Sequence, residues 1–226
     1  MRIAVLLKEV PDTYSDREMN LETGLTDRSG DVVADEVSER AVEAALRIAE
    51  AGEGIEVEIL SVGPESAADS VRRGIAMGAS EAYIVSDEAL TGADVTLTAQ
   101  VLAKLVEKQG YDLVVAGGMS SDGAAGVVAP FVAELLGWPV LTNLTELSID
   151  GDSVRATQAS ENATAELSAQ LPAVVSVADG FADPRYPNFK GLMAAKKKEL
   201  RAVTLAELGV DPEDFTHPRA IMVGIE

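Results

Sequence analysis

The sequence predicts an α/β protein built on a doubly wound, mostly parallel sheet with helices on both faces. Short apolar runs rich in β-branched residues alternate four times with segments of helical periodicity. These runs are nearly continuous in apolar character, which is typical of parallel strands buried on both faces. The fourth run, Leu113 to Ala116, leads into a glycine-rich turn and then a helical pattern. The chain is organised around this unit, Tyr111 to Pro139.

The first strand and helix are separated by a long polar segment. Arg2 to Lys8 is almost wholly apolar and predicts a central strand. Thr13 to Val32 carries several turn signals and predicts a functional or partner-bound loop that contains a small hairpin. Ser38 to Ala51 predicts an amphipathic helix. Its expected apolar face comprises Ala41, Ala45, Leu46 and Ile48, and its expected polar face comprises Glu39, Arg40, Glu43 and Arg47.

Two further strand and helix pairs follow. Ile55 to Val62 predicts a strand, and Gly63-Pro64 opens the next helix, where proline lacks only an N–H that would be unpaired anyway. Val71, Ile75 and Met77 are expected to face inward on that helix. Ala82 to Val85 predicts a third strand and Ala93 to Gln109 a third helix. Its expected inward residues are Leu97, Val101, Leu102 and Leu105.

The pattern changes after Pro139. Leu141 to Ile149, Ser153 to Ala159 and Thr164 to Leu171 alternate in polarity and predict an antiparallel meander or hairpin region. Pro172 to Val177 returns to a buried strand. Gly180 to Lys198 shows no clear periodicity and predicts an extended C-terminal arm that lies on something else. We therefore expect a nucleotide-binding α/β domain at 1–183 and an arm for partner contact at 184–226.

The glycine turn after the fourth strand is a candidate site for a nucleotide phosphate. A helix that starts there, near Ala124 to Gly126, leaves backbone N–H groups unpaired at the positive end of its dipole. The turn lacks the lysine of a P-loop and the G-x-G-x-x-G fingerprint. The glycines could instead serve only tight packing. Asp122 is interpreted as the N-cap of the helix, and a ligand contact through it remains open.

Composition excludes several classes of function. The chain has no cysteine and one histidine, His217 near the C-terminal end, so we expect no metal site and no catalytic residues. A formal net charge of −20 argues against binding to nucleic acid or anionic membranes. No apolar run approaches the roughly 20 residues of a membrane-spanning helix, which predicts a cytoplasmic protein without membrane insertion. The dispersed acidic surface suggests a host with a high salt concentration.

Several short motifs are spread in order over nearly the whole chain. They are Lys8 to Asp12, Ser61 to Pro64, Asp122-Gly123 in the glycine turn, Gly137 to Pro139, Leu171 to Ala173, Pro184 to Pro187 and Gly191 to Lys198. Together they resemble the motifs of the electron transfer flavoprotein β-subunit family. The last two, PRYP followed by GLMAAKKK, are the most specific. The resemblance implies an adenine-nucleotide-hydrolase-like fold.

The resemblance also implies a function and a set of ligands. Members of this family pair with a larger α subunit, which holds most of a redox-active FAD. The heterodimer carries electrons from flavin dehydrogenases, such as acyl-CoA dehydrogenases, to a quinone oxidoreductase or another acceptor. The β subunit buries AMP in ordinary carriers and a second FAD in bifurcating ones.

The resemblance assigns cofactor-binding positions to this chain. They are Leu6, Asp35, Val62 and the loop Gly117, Gly118, Met119, Ser120, Ser121, Asp122, Gly123, Ala124, Ala125, Gly126, Val127 and Val128. The family often has glutamine or threonine where this loop has Met119, Ala124 and Ala125, so only backbone contacts carry over there. Phe189 takes the position of the exposed side chain that grips partner dehydrogenases, although packing onto its own domain or onto the α subunit is an alternative.

Other classes of nucleotide-binding protein share this architecture. A stand-alone regulator of the universal-stress type would carry G-x2-G-x9-G-[ST], and the glycines of this loop do not continue that pattern. An ATP-consuming ligase or sulfurtransferase would carry S-G-G-x-D-S after the first strand, where this chain has Lys8 to Pro11. Because fold alone does not give function, these missing motifs favour the electron carrier.

Overall fold

The computed structural model describes residues 1–221, 223 and 224. In chain order, the strands and helices are β1 (Arg2–Leu6), β2 (Glu9–Pro11), β3 (Val32–Ala34), α1 (Glu36–Ala51), β4 (Glu56–Val62), α2 (Ala68–Met77), β5 (Glu81–Val85), α3 (Val95–Gln109), β6 (Leu113–Gly117), α4 (Val128–Leu136), β7 (Val140–Leu144), β8 (Glu146–Asp150), β9 (Ser153–Ala159), β10 (Thr164–Gln170), β11 (Ala173–Val177), α5 (Phe189–Lys197), β12 (Arg201–Val203) and α6 (Leu205–Leu208).

The central sheet has seven strands in the order β12-β5-β4-β1-β6-β11-β7, and every pairing in it is parallel. Strand β1 lies in the middle, with Leu6 opposite Leu60 of β4 on one side and Ala116 of β6 on the other. The predicted doubly wound parallel sheet is therefore confirmed, and so is the central place of the first strand.

Helices cover both faces of this sheet, because successive strand side chains point to opposite faces and both sets are apolar. Helices α1 and α2 pack with one set, which includes Ile3, Val5 and Ile59. Helices α3, α4 and α6 pack with the other, which includes Leu60 and Val114. All the inward residues predicted for α2 and α3 are buried.

The segment predicted as one strand, Leu141 to Ile149, forms two strands in different sheets. Strand β7 pairs with β11 in parallel and ends the central sheet. Strand β8 belongs to a separate antiparallel sheet with the order β10-β9-β8. Asn143 has a φ of 54°, in the left-handed region that asparagine tolerates better than most residues. The expected antiparallel region therefore begins at β8.

The polar face of α1 differs from its prediction at one residue, Glu43. Glu43 was expected on the solvent side of α1, but it is only 4% exposed. Arg185, which is 142 residues away in sequence, covers it and donates a hydrogen bond of 2.8 Å from Nε to Oε2. Burial alone would raise the pKa of Glu43, and the hydrogen bonds from Arg185 and Arg47 outweigh that effect and lower it.

The C-terminal segment contains regular elements that packing, rather than local periodicity, stabilises. Helix α5 packs on α2, with Ala195 buried. Strand β12 adds to the edge of the central sheet beside β5, and α6 covers part of the second core. Among the residues that the structure describes, no helix combines the length and the apolar character needed to cross a bilayer.

Candidate functional site

The predicted cofactor-binding residues converge on the carboxyl-terminal edge of the central sheet. Leu6, Val62 and Gly117 are the last residues of β1, β4 and β6, which are neighbours in the sheet. The chain winds outward in opposite directions from β1, so this edge is the switch point at which doubly wound sheets bind ligands. Leu6 is buried and Val62 is partly buried.

The first two glycines of the loop allow close packing within the protein. A Cβ at Gly117 would lie 3.0 Å from the carbonyl carbon of Val37, at the start of α1. A Cβ at Gly118 would lie 2.9 Å from the carbonyl oxygen of Val177 and 2.6 Å from Oδ1 of Asn143. Because backbone atoms cannot move aside easily, these two positions require glycine for packing. Tight packing was the alternative role that the sequence analysis left open for the glycines.

The second half of the loop is open. Gly123, Ala124, Ala125 and Gly126 are exposed, as is Met119. Ala124 has a φ of 49° and Gly126 a φ of 67°, and left-handed conformations cannot continue a right-handed helix. Helix α4 therefore begins at Val128, and the prediction that it starts near Ala124 to Gly126 is wrong.

Asp35 ties the loop to the start of α1. It is 1% exposed and is the N-cap of α1. Its Oδ2 accepts hydrogen bonds of 3.0 Å from the backbone N–H and the hydroxyl of Ser38, and its Oδ1 accepts one of 2.9 Å from the N–H of Ser121. Asp35, which the resemblance assigns to a ligand contact, therefore also holds the loop against the start of α1.

Asp122 is an ion-pair centre and does not cap α4, which corrects its interpretation as the N-cap. Its Oδ1 accepts a hydrogen bond of 2.7 Å from Nζ of Lys8, and its Oδ2 pairs with the guanidinium of Arg28. Burial alone would raise the pKa of Asp122, but these two cations hold it far below its ordinary value. Oδ1 also accepts a hydrogen bond from the N–H of Gly123.

Three cations that sequence reasoning missed thus surround the loop. Lys8 and Arg28 bind Asp122, and Arg17 donates to the carbonyl oxygen of Ser121. Arg17 and Arg28 are the two cations of the long polar segment 13–32, which is otherwise uncharged or acidic. The presence of only these two basic residues in the segment is the sequence signal that could have pointed to their role. The segment is closed at its base by the antiparallel pair β2 and β3 and has one further bridge, between Met19 and Thr26.

Helix α4, which follows the glycine loop, starts without a capping side chain. Its N-cap position is Val127, and no side chain among the described residues caps its first turn. The same is true of the helical segment after Val62, where Pro64 and Ala67 take the N-cap positions. Helices α1, α3, α5 and α6 all have a capping side chain. The two uncapped starts follow the two loops at the switch point.

Ser121 contributes a buried hydroxyl to this edge. Within the part of the chain that the structure describes, its Oγ has no hydrogen-bond partner. A buried hydroxyl without a partner is costly, so a polar ligand group at this edge would satisfy it. Unpaired backbone N–H groups, an orphaned hydroxyl and nearby cations fit a phosphorylated ligand such as an adenine nucleotide.

Phe189 lies apart from the glycine loop, at the start of α5. Its side chain is 78% exposed, so it does not fold back onto its own domain. The neighbouring large apolar side chains Tyr186, Leu192 and Met193 are also exposed. Asn188 caps the helix by accepting a hydrogen bond of 2.8 Å from the N–H of Gly191. Within the described residues, no three histidine, aspartate or glutamate side chains cluster as metal ligands would.

Comparison with known proteins identifies the family. The model of the electron transfer flavoprotein domain matches residues 23–208. Relatives named electron transfer flavoprotein subunit beta occur in Mycobacterium tuberculosis (44% identity over 218 residues, 94% of this chain and 82% of the relative) and in Bacillus subtilis (33% over 216 residues, 95% and 83%). One from Syntrophomonas wolfei is 31% identical over 228 residues, covering 100% of this chain and 89% of the relative. The chain belongs to the electron transfer flavoprotein family and, within it, to the β subunits.

Proposed function

We propose that this chain is the β subunit of a heterodimeric electron transfer flavoprotein that works in the cytoplasm. It carries electrons from flavin dehydrogenases, such as acyl-CoA dehydrogenases, to a quinone oxidoreductase or another acceptor. The FAD is bound mainly by the α subunit and supplies the redox chemistry when bound. The observation that carries this proposal is the 44% identity to β subunits over 94% of the chain.

In this proposal the chain's own contribution is to bind and position, with no catalytic residue. Its glycine loop and the uncapped start of α4 hold an adenine nucleotide through backbone N–H groups and the Ser121 hydroxyl. Asp35 and the ion pairs of Asp122 fix the loop in the geometry that this needs. We expect this nucleotide to be AMP, and the small side chains of Ala124 and Ala125 leave FAD as the alternative.

Mass spectrometry of the denatured protein after gentle purification tests the nucleotide assignment. AMP in a one-to-one ratio is expected. FAD in this subunit would place the chain with the bifurcating carriers, and absence of any nucleotide would contradict the site.

The isolated chain should be colourless and should acquire FAD absorbance together with an α subunit. A hydride or acyl transfer activity of the isolated chain would contradict the carrier role.

We propose Phe189 as the docking residue for dehydrogenases. The arm, 184–226, is proposed to contact the partner subunit and the dehydrogenase, while its β12 and α6 pack on this chain's own sheet and core. A large apolar ring that is 78% exposed beside Asn188 and Lys190 is well suited to insert into a partner's pocket. Single anchors of this kind often contribute about 2 kcal/mol or more to an interface.

Substitution of this anchor tests the docking proposal. Phe189→Ala should leave folding and flavin content unchanged and slow electron transfer from a reduced acyl-CoA dehydrogenase at least about tenfold. Val140→Ala, which truncates a partly exposed apolar side chain outside this arm, is the control and should leave the rate unchanged. A lowered melting temperature with an unaltered rate would show that Phe189 serves packing instead.

A further inference from the structure

The chain leading into α5 is fastened to α1 by arginine contacts. Arg185 donates to Glu43 from its backbone N–H at 3.1 Å and from Nε at 2.8 Å, and its guanidinium also pairs with Glu50. Arg40 of α1 donates to the carbonyl oxygen of Phe181 at 2.6 Å. We call Arg185, Glu43 and Glu50 the arm latch.

The arm latch has the features of a strong interaction. The Glu43 side chain is 5% exposed, and it accepts hydrogen bonds from three nitrogen atoms of Arg185. Charge-assisted bonds of this kind, made by a planar guanidinium, fix geometry as well as contributing energy. Lysine could not reproduce the fork, because its ammonium is a single point of charge.

Helix α5 is held at two further points. A Cβ at Gly191 would lie 2.4 Å from the carbonyl oxygen of Ala76, so the first turn of α5 touches the end of α2 directly. Beyond the helix, Nζ of Lys198 donates to Glu81 of β5 at 2.6 Å. The helix is thus fixed at its start, on one side and at its end.

This arrangement leaves the apolar side of α5 facing away from the protein. Phe189 and Tyr186 are largely exposed, and Leu192 and Met193 are exposed to a lesser degree. Tyr186 directly follows Arg185, and Phe189 comes three residues later. Arg185 therefore holds the stretch of chain that leads directly into this apolar surface.

We propose that Arg185, bound to Glu43 and Glu50, is a positioning residue that pre-orients the Phe189 surface for the partner dehydrogenase. The inference rests on the proposed docking function of Phe189. Without the latch, residues 184–188 would lose their contact with α1 and be ordered only on binding, and ordering one or two side chains with their backbone weakens an interface by about tenfold. Electron transfer after docking is unaffected.

The test measures electron transfer from an acyl-CoA dehydrogenase, reduced with its acyl-CoA, to the FAD-loaded heterodimer. Arg185→Ala should raise the apparent KM about tenfold and leave kcat within about twofold. Hydrogen exchange of the amides of Arg185, Tyr186 and Asn188 should increase. Arg47→Ala is the control, because Arg47 also binds Glu43, at 2.7 Å, but lies on α1 and makes no hydrogen bond to the arm among the described residues. It should change neither KM nor exchange.

A double-mutant cycle separates positioning from general destabilisation. If Arg185 acts through the docking surface, Phe189→Ala should have a smaller effect in the Arg185→Ala background than in the unmodified protein. Additive effects, or an unchanged KM with increased exchange, would overturn the positioning role while leaving docking by Phe189 intact. An unchanged KM for Phe189→Ala alone would overturn the docking proposal and the positioning role with it.

Two milder variants cover the case in which Arg185→Ala does not fold. Glu50→Gln removes one exposed partner and leaves Glu43 paired, and Arg185→Lys keeps the charge without the fork. Both should raise KM by about threefold at unchanged kcat. An unchanged KM in both variants, with folding intact, would overturn the proposal.

Discussion

Replacement of Asp122 by asparagine should destabilise the glycine loop measurably. The Asp122 side chain is 4% exposed, whereas its partners Lys8 and Arg28 are 44% and 36% exposed. Exposed ion pairs contribute about 0–1 kcal/mol, and removing one partner of a fully buried pair costs about 3–5 kcal/mol. This half-buried arrangement lies between the two, so we expect a loss of about 2 kcal/mol. Asparagine keeps the shape and an oxygen that can accept from Gly123.

Thermal unfolding of the purified heterodimer measures this loss. In a protein of this size, about 2 kcal/mol lowers Tm by about 4–8 °C. Asp69→Asn is the control, because Asp69 is almost fully exposed and pairs only with Arg72 at 3.3 Å on the same helix. It should shift Tm by no more than about 1–2 °C. Equal shifts for the two variants would refute the role assigned to Asp122.

The Tm difference between the unmodified protein and the Asp122→Asn variant should depend on pH in a defined direction. The folded pKa of Asp122 lies below its unfolded value, so its carboxylate stabilises the fold above about pH 5 and loses this effect as the pH falls. The Tm difference between the unmodified protein and Asp122→Asn should therefore shrink between pH 7 and about pH 3. A constant difference over this interval would show that charge is not the cause.

Two further predictions concern packing and charge. Gly118→Ala should cost about 1–3 kcal/mol, because its Cβ would press on the carbonyl oxygen of Val177, whereas Gly123→Ala, with its nearest atom at 3.7 Å, should leave Tm nearly unchanged. Equal Tm values for the two variants would contradict the packing role. The net charge of −20 implies that Tm rises as KCl is increased from low to molar concentration, and a falling Tm in calorimetry would contradict a surface adapted to salt.

The sequence by itself determined the layers of the fold and the family. Runs such as Arg2 to Lys8 are apolar at successive positions, a pattern typical of a strand buried on both faces. The glycine turn could be placed at the sheet edge because it follows such a strand directly. Family membership favours the electron carrier over the universal-stress type, in line with the short motifs read from the sequence.

Only the tertiary structure decided which residues meet across the chain. From its neighbours in sequence Asp122 was predicted to be a helix N-cap, but its ion-pair partners Lys8 and Arg28 lie 114 and 94 residues away. Helical periodicity predicted Glu43 to face solvent, whereas in the structure Arg185 covers it. Helical and strand periodicity report which side of an element is apolar, whereas ion pairs and edge strands such as β12 depend on the distances between elements, which only the folded chain fixes.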